Sequence, residues 1–461
     1  MSAAVRSNRQ SPGLEPAGTG LSRNPRKSTG CRLENRRHDE RGNGHFIPWS
    51  RTQGNRAGFT GFEDIGRGPR RALLPLIQAK DCDMKTKMRN LRVLLNLLIL
   101  SGIVFGGVAC TGTEVLAVRV SSEAYAPMKA IGKLAAVEAR NLLRAETRRV
   151  PNRNDVIVLS NAGYAEIGGK STMGALDGLS EVFRVSRGNN TLVEVHSAPE
   201  RPLWFAVFDS RSGYCAYLQV KSSAVGGTQK ASELFEKRIA AKIDPETLYA
   251  SDPTIPFKFG DANFDNTFSV VTIANGVAFG VPSYVTRSFE FHDHYCPGVT
   301  SGILIANYVK AYFADKGVTP KGYFVHGLNP WCKEDALMVM LNATPGKSGY
   351  TVTYSTADDR AGWGDYASAV NIVYGQLPDG SWEGLILNVT LASNTQTGCN
   401  YSNGTINRLC ADLWYLDKLD KPEDFVTLLK SFTLPASDHP KNYARPGMDI
   451  MAMDNPPWED E

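Results

Sequence analysis

Two histidines and a cysteine stand at alternate positions in FEFHDHYCPG: His292, His294 and Cys296. Read as extended chain, alternate side chains share one face, so two imidazoles and a thiol converge with no help from distant parts of the fold. Pro297 and Gly298 end that segment and open a helix. Cys296 is thereby placed at a helix amino terminus, where unpaired N–H groups and the dipole favour a thiolate. Cys332 repeats the device, following the strand-like GYFVHGL and Pro330 and directly preceding the helical KEDALMVML. Two imidazoles and two thiolates make a soft set capable of tetrahedral coordination, suited to Zn²⁺ or another transition metal such as Cu or Fe.

Other readings of the same residues stay open. Cys296 and Cys332 pair as a disulfide if the chain matures in an oxidising compartment. Cys399 and Cys410, spaced across a loop rich in Asn and Gly, are the better disulfide candidates, which leaves Cys215 as a buried strand thiol. His326, Asp335 and Lys347 are candidates to orient the metal ligands or to move protons, and Asp293 is a weaker one, more simply read as surface charge. A closed four-ligand site suits a protein that buffers, senses or delivers a metal, with an envelope metal-transport or redox protein as partner. The alternative is a metal-dependent enzyme whose ion keeps an open position for water or a substrate carbonyl, with Asp335 or Lys347 handling the proton or an anion.

The elements that position these residues occur twice. SEAYAP at 122–127 aligns with HDHYCP at 292–297, and each precedes a helical pattern: Ile131, Leu134, Ala135 and Leu142 in the first, Ile305, Tyr308, Val309, Tyr312 and Phe313 in the second. STMGAL at 171–176 answers CKEDAL at 332–337. The paired apolar runs at 205–220 and 371–389 each flank a turn rich in Gly, Asp and Ser. On this alignment Ser122, Ala124, Ala126 and Ser171 stand where the four ligands stand, so the four are missing together, as ligands of one ion would be. The predicted fold is α/β (α+β): two tandem copies of a helix-strand-helix-three-strand mixed-sheet sandwich, forming a pseudo-dimer within one chain. The copies span 111–250 and 268–435, with amphipathic segments at 231–243 and 421–432 closing each, and an irregular tail at 436–461.

Residues 1–83 hold 13 Arg and 2 Lys against 8 acidic residues with almost no apolar periodicity, and read as disordered or as a wrongly assigned extension. Residues 84–110 carry Lys85, Lys87, Arg89 and Arg92 ahead of an apolar run from Val93 to Val108, the order of an export signal. The run is shorter than the roughly 20 residues of a spanning helix. It ends in Gly-Gly-Val-Ala-Cys, which offers either lipidation at Cys110 or ordinary cleavage nearby. The expectation is an exported protein, periplasmic or anchored as a lipoprotein, that meets the membrane only through its signal or lipid. The formal +4 of the 461 residues becomes 32 basic against 39 acidic over 111–461, which removes the case for nucleic acid.

HDHYCPG, the following Gly- and Ile-containing helix, Cys-x-x-Asp-Ala at 332–336 and Thr-Pro-Gly-Lys at 344–347 together resemble the E-subunit family of formylmethanofuran dehydrogenase. That family's pattern is His-Gly-His-x-Cys-Pro-Gly, a later Cys-x-x-Asp-Ala, and Thr-x-Gly-Lys-Gly. The resemblance covers about 285–395, and 120–225 only in degenerate form. It implies that family's α/β fold, a zinc-type site at His292, His294, Cys296 and Cys332, Lys347 in the Thr-x-Gly-Lys turn, and dimer-like packing. It does not imply the dehydrogenase reaction, whose molybdenum or tungsten catalysis belongs to other subunits. Asp293 replaces the usual Gly, Ser348 replaces the Gly after the lysine, a carboxy-terminal CxxC ribbon is missing, and an export signal is foreign to a cytoplasmic chemistry.

Overall fold

The computed structural model describes residues 122–223 and 230–459. The basic extension, the export-type segment and Cys110 lie outside them. Two five-stranded mixed sheets are built from successive parts of the chain. In the first, helix α1 (Ser122–Thr147) leads to β1 (Val156–Ser160), α2 (Gly174–Phe183) and β2 (Leu192–Glu194), then β3 (Trp204–Asp209), β4 (Tyr214–Val220) and β5 (Phe235–Lys242). Helices α3 (Pro245–Ser251), α4 (Thr267–Ala278) and α5 (Ser283–His292) follow, and the series then repeats. It runs α6 (Pro297–Asp315), β6 (Tyr323–Gly327), α7 (Lys333–Met340), β7 (Tyr350–Val352), β8 (Asn371–Gln376), β9 (Trp382–Val389), α8 (Gly404–Leu416) and β10 (Val426–Leu434).

The strand orders are β2-β1-β3-β4-β5 and β7-β6-β8-β9-β10, which is one topology used twice. In each, the strand after the first helix pairs in parallel with the short edge strand and antiparallel with the hairpin. The registers superpose residue for residue: Leu159 opposes Val193 and Ala206, and His326 opposes Thr351 and Ile372. The sequence reading of three strands after the second helix falls one short. The missed strands, β2 and β7, are three residues each, too short to show alternation. The closing segments at 231–243 and 421–432 supply mainly the edge strands β5 and β10.

Both sheets are covered on two sides, so inner strands such as β1, β3 and β4 are apolar in nearly every position rather than alternating, while the edge strands β5 and β10 are mixed. Val156 and Val158 face α1 and α2, while Ile157 and Leu159 face a larger core that continues through α4, α5 and α6 into the second sheet. There Val325, Val373 and Leu385 join that core. Phe324, Ile372, Tyr374 and Phe432 face away from it, under Ile450, Met451 and Trp458 of the carboxy-terminal segment. That segment is irregular apart from 3-10 turns, and it seals a sheet face. Among the described residues, no helix is long and apolar enough to cross a membrane.

In each copy the two leading helices cross at a glycine five residues past the shared proline. A Cβ on Gly132 would lie on the carbonyl of Ala175, and one on Gly302 on that of Lys333. This contact places Gly174, not Ser171, where the second copy has Cys332. The six-residue string match failed because the first copy inserts a two-stranded ribbon, 166–171, ahead of α2.

Candidate metal centre

His292 is the last residue of α5, and Asp293 after it takes the left-handed conformation at φ 64°. That single residue reverses the chain and brings the His294 ring to 4.3 Å from the His292 ring. The segment is therefore a helix end and a tight turn, not the extended run that the alternation suggested; convergence comes from the left-handed Asp293. Tyr295 is buried and fixes the turn from below, its N–H donating to Thr272 Oγ1 at 3.1 Å. Cys296 then caps α6 in extended conformation, and Cys332 caps α7. Both cysteines stand at helix amino termini, as their neighbours in sequence require.

One ligand atom from each of His292, His294, Cys296 and Cys332 lies within 4.8 Å of all the others. Ligands on one zinc stand roughly 3.3–3.8 Å apart, given bonds of about 2.0–2.3 Å, so the set needs to draw in by about 1 Å. Each imidazole is held from behind by a carboxylate. His292 Nδ1 meets Asp335 Oδ2 at 2.7 Å, and His294 Nδ1 meets Asp293 Oδ1 at 2.7 Å. This pins the rings and leaves Nε2 for a metal. Nε2 of His292 is buried with no hydrogen-bond partner, a cost that an ion would remove. The donor set, the carboxylate backing and the orphaned nitrogen all fit a zinc-type ion, which here would draw the four ligands into one shell.

The electrostatics of the cluster agree with that chemistry. The Cys296 thiol donates to the Cys332 sulfur, holding Cys332 far below the ordinary thiol range with help from both imidazoles, while this bond and burial push Cys296 up. Burial would lower His292, but Asp335 and the adjacent Cys332 sulfur outweigh it and raise it to about 9. Burial opposes and Asp293 and Cys332 raise His294 likewise. Cys296 and Cys332 are both free thiols here, so the alternative disulfide between them is not formed, whereas Cys399 and Cys410 are bonded.

Residues 291–369 match a known family model. Its description is FmdE, Molybdenum formylmethanofuran dehydrogenase operon. The FmdE match contains all four clustered ligands together with Asp293 and Asp335, and it ends before the hairpin β8–β9. The first copy lies outside it. No curated protein matched the chain.

Of the other residues singled out in the sequence, Asp335 and Asp293 reach the site, whereas His326, Lys347 and Cys215 do not. His326 lies on the far face of the second sheet, its Nε2 at 2.8 Å from Thr353 Oγ1, and burial lowers its pKa to about 4. Lys347 is exposed and donates to Asn342 Oδ1. Cys215 is a buried strand thiol, as expected.

Two features escaped the sequence reading. Gly298 is needed for space: a Cβ there would stand 2.8 Å from Cys332 Cβ and 3.1 Å from its sulfur. Directly after Cys332, Lys333 and Glu334 form a buried ion pair. Lys333 also donates to Asn329 O at 3.0 Å, and Glu334 accepts from Tyr350 Oη and, at 3.2 Å, from Asn371 Nδ2. The pair ties the start of α7 to β7 and β8. Adjacent charges ordinarily signal a solvated helix face, so only the strands that cover them reveal their role.

Proposed function

We propose that this is an exported protein that holds one zinc-type ion in its second copy and buffers, senses or delivers it. The observation that carries the reading is the convergence of two thiols and two carboxylate-backed imidazoles on one point. Four protein ligands of this kind describe a closed site, which favours holding an ion over catalysis at it. Export rests on the charge-then-apolar order of 84–110 and on the disulfide at 399–410. Elemental analysis of the purified protein is expected to give one equivalent of zinc or a similar metal, and Cys296→Ser to remove most of it. Metal content unchanged in Cys296→Ser would sink the proposal.

A second reading has one observation in its favour. Asp335, which orients His292, also lines a cleft of about 370 Å³ rimmed by the exposed Trp331 and Tyr354. A ligand seated there would lie beside the centre, as a substrate of a metal-dependent enzyme must. A vacancy or exchangeable water in the coordination shell of the metal-loaded protein would favour this reading over storage.

A further inference from the structure

We propose that the ligand-free first copy is the positioning half of the metal site, acting through a clamp on Glu290 that fixes the helix delivering His292. The inference rests on the metal reading above and adds residues outside the matched segment. Glu290 lies two residues before His292 and is 5% exposed. Its side chain and its carbonyl are both engaged by the first copy. Arg187 Nη2 donates to Glu290 Oε2 at 3.2 Å, while Nη1 donates to Glu194 Oε2 at 2.6 Å. The N–H of Glu194 donates to Glu290 Oε1 at 3.1 Å, and that of His196 donates to the Glu290 carbonyl at 2.9 Å.

That carbonyl also accepts from Asp293 N–H at 3.4 Å, the bond that closes the left-handed turn between the two ligand histidines. Capping it from the first copy sets where α5 ends and therefore where His292 and His294 point. The His196 ring stacks on Phe291 at 5.5 Å and 2° between planes, holding the rotation of the last turn. At the other end of α5, Asn190 Nδ2 donates to Val281 O at 3.2 Å, just ahead of the helix. Both ends of the helix are thus anchored to one rigid neighbour. Ligands held to within about 0.5 Å bind a metal more tightly than the same residues left loose, because the ordering cost is met before binding.

The test is a competition titration of the full-length protein with Zn²⁺ against a chromophoric chelator, with the visible spectrum of the Co²⁺-loaded protein as a second readout. Arg187→Ala and Glu290→Gln are expected to bind one equivalent about tenfold more weakly and to alter the Co²⁺ bands, with Arg187→Lys recovering most of the affinity. Arg238→Ala, which breaks the ion pair to Glu138 inside the first copy, serves as control and is expected to lower thermal stability with affinity intact. Wild-type affinity in Arg187→Ala overturns the clamp, and so does an equal loss in Arg238→Ala, which would mark a general stability effect. Wild-type protein that takes up no metal overturns the metal reading and the clamp with it.

Discussion

The two copies use one strand order and one helix crossing, yet among the described residues only the second assembles ligands. In the first copy the segment aligned with the ligand turn is the opening of α1, already helical at Ser122. In the second the helix starts five residues later, at Pro297, and the released residues make the turn that carries His294 and Cys296. The residue after the shared proline differs in the same sense: Met128 is buried in the first copy, and Gly298 in the second leaves room for Cys332. The two copies thus differ at this place in the ligand residues themselves, in where a helix begins and in one missing side chain.

Transferring that residue between the halves is the strongest way to break the contrast. Gly298→Met gives the second copy the first copy's residue and drives a side chain into Cys332, so the bound ion is expected to be lost, with affinity down by more than about a hundredfold. Removing the corresponding side chain from the first copy, Met128→Ala, opens a cavity worth about 2–5 kcal/mol of stability and is expected to leave metal content alone. Metal retained at full affinity in Gly298→Met would show that Cys332 is dispensable.

What could be read from the sequence follows from the range of the interactions involved. The ligand set was legible because the four residues carry their own local signals: alternation for three of them, and a helix start after each cysteine. Their conformation was not, because a left-handed Asp293 in place of the usual glycine gives no pattern of its own. The hairpins were legible as paired apolar runs. Strands β2 and β7, three residues each, exist through pairing with β1 and β6. Arg187, Glu194 and Glu290 were invisible as a group because their association depends on how the copies pack, and each alone reads as an ordinary surface charge.

The matching registers offer a second contrast, in acid stability. Leu159 and His326 occupy one position in the two sheets, and burial, opposed only weakly by Asp449, lowers His326 to about 4. The unfolded chain takes up this proton near the ordinary value of 6.5 and the folded chain only near 4. Between these values the unfolded state binds more protons, so stability falls as the pH falls, by about 3 kcal/mol from pH 7 to pH 4, and the loss from this group levels off about one unit below that. His326→Leu, the first copy's residue, is expected to flatten that part of the stability profile in urea titrations. An unchanged profile would show that the acid sensitivity lies elsewhere.

The smallest expected effect sharpens the comparison at the turn itself. Asp293 sits at φ 64°, where glycine is easier by up to about 1 kcal/mol, and its carboxylate holds Nδ1 of His294. The two roles pull in opposite directions, and a single substitution separates them. Asp293→Gly relieves the backbone but frees the imidazole to rotate, so the protein is expected to be slightly more stable without metal and to bind Zn²⁺ about tenfold more weakly, the usual consequence of losing a carboxylate behind a ligand histidine. Asp293→Asn keeps a side-chain oxygen in reach of Nδ1 and tolerates the left-handed conformation, so it should fall between. If Asp293→Gly bound metal as tightly as wild type, the turn alone would suffice, and the aspartate would be no more than the surface charge its exposure suggests.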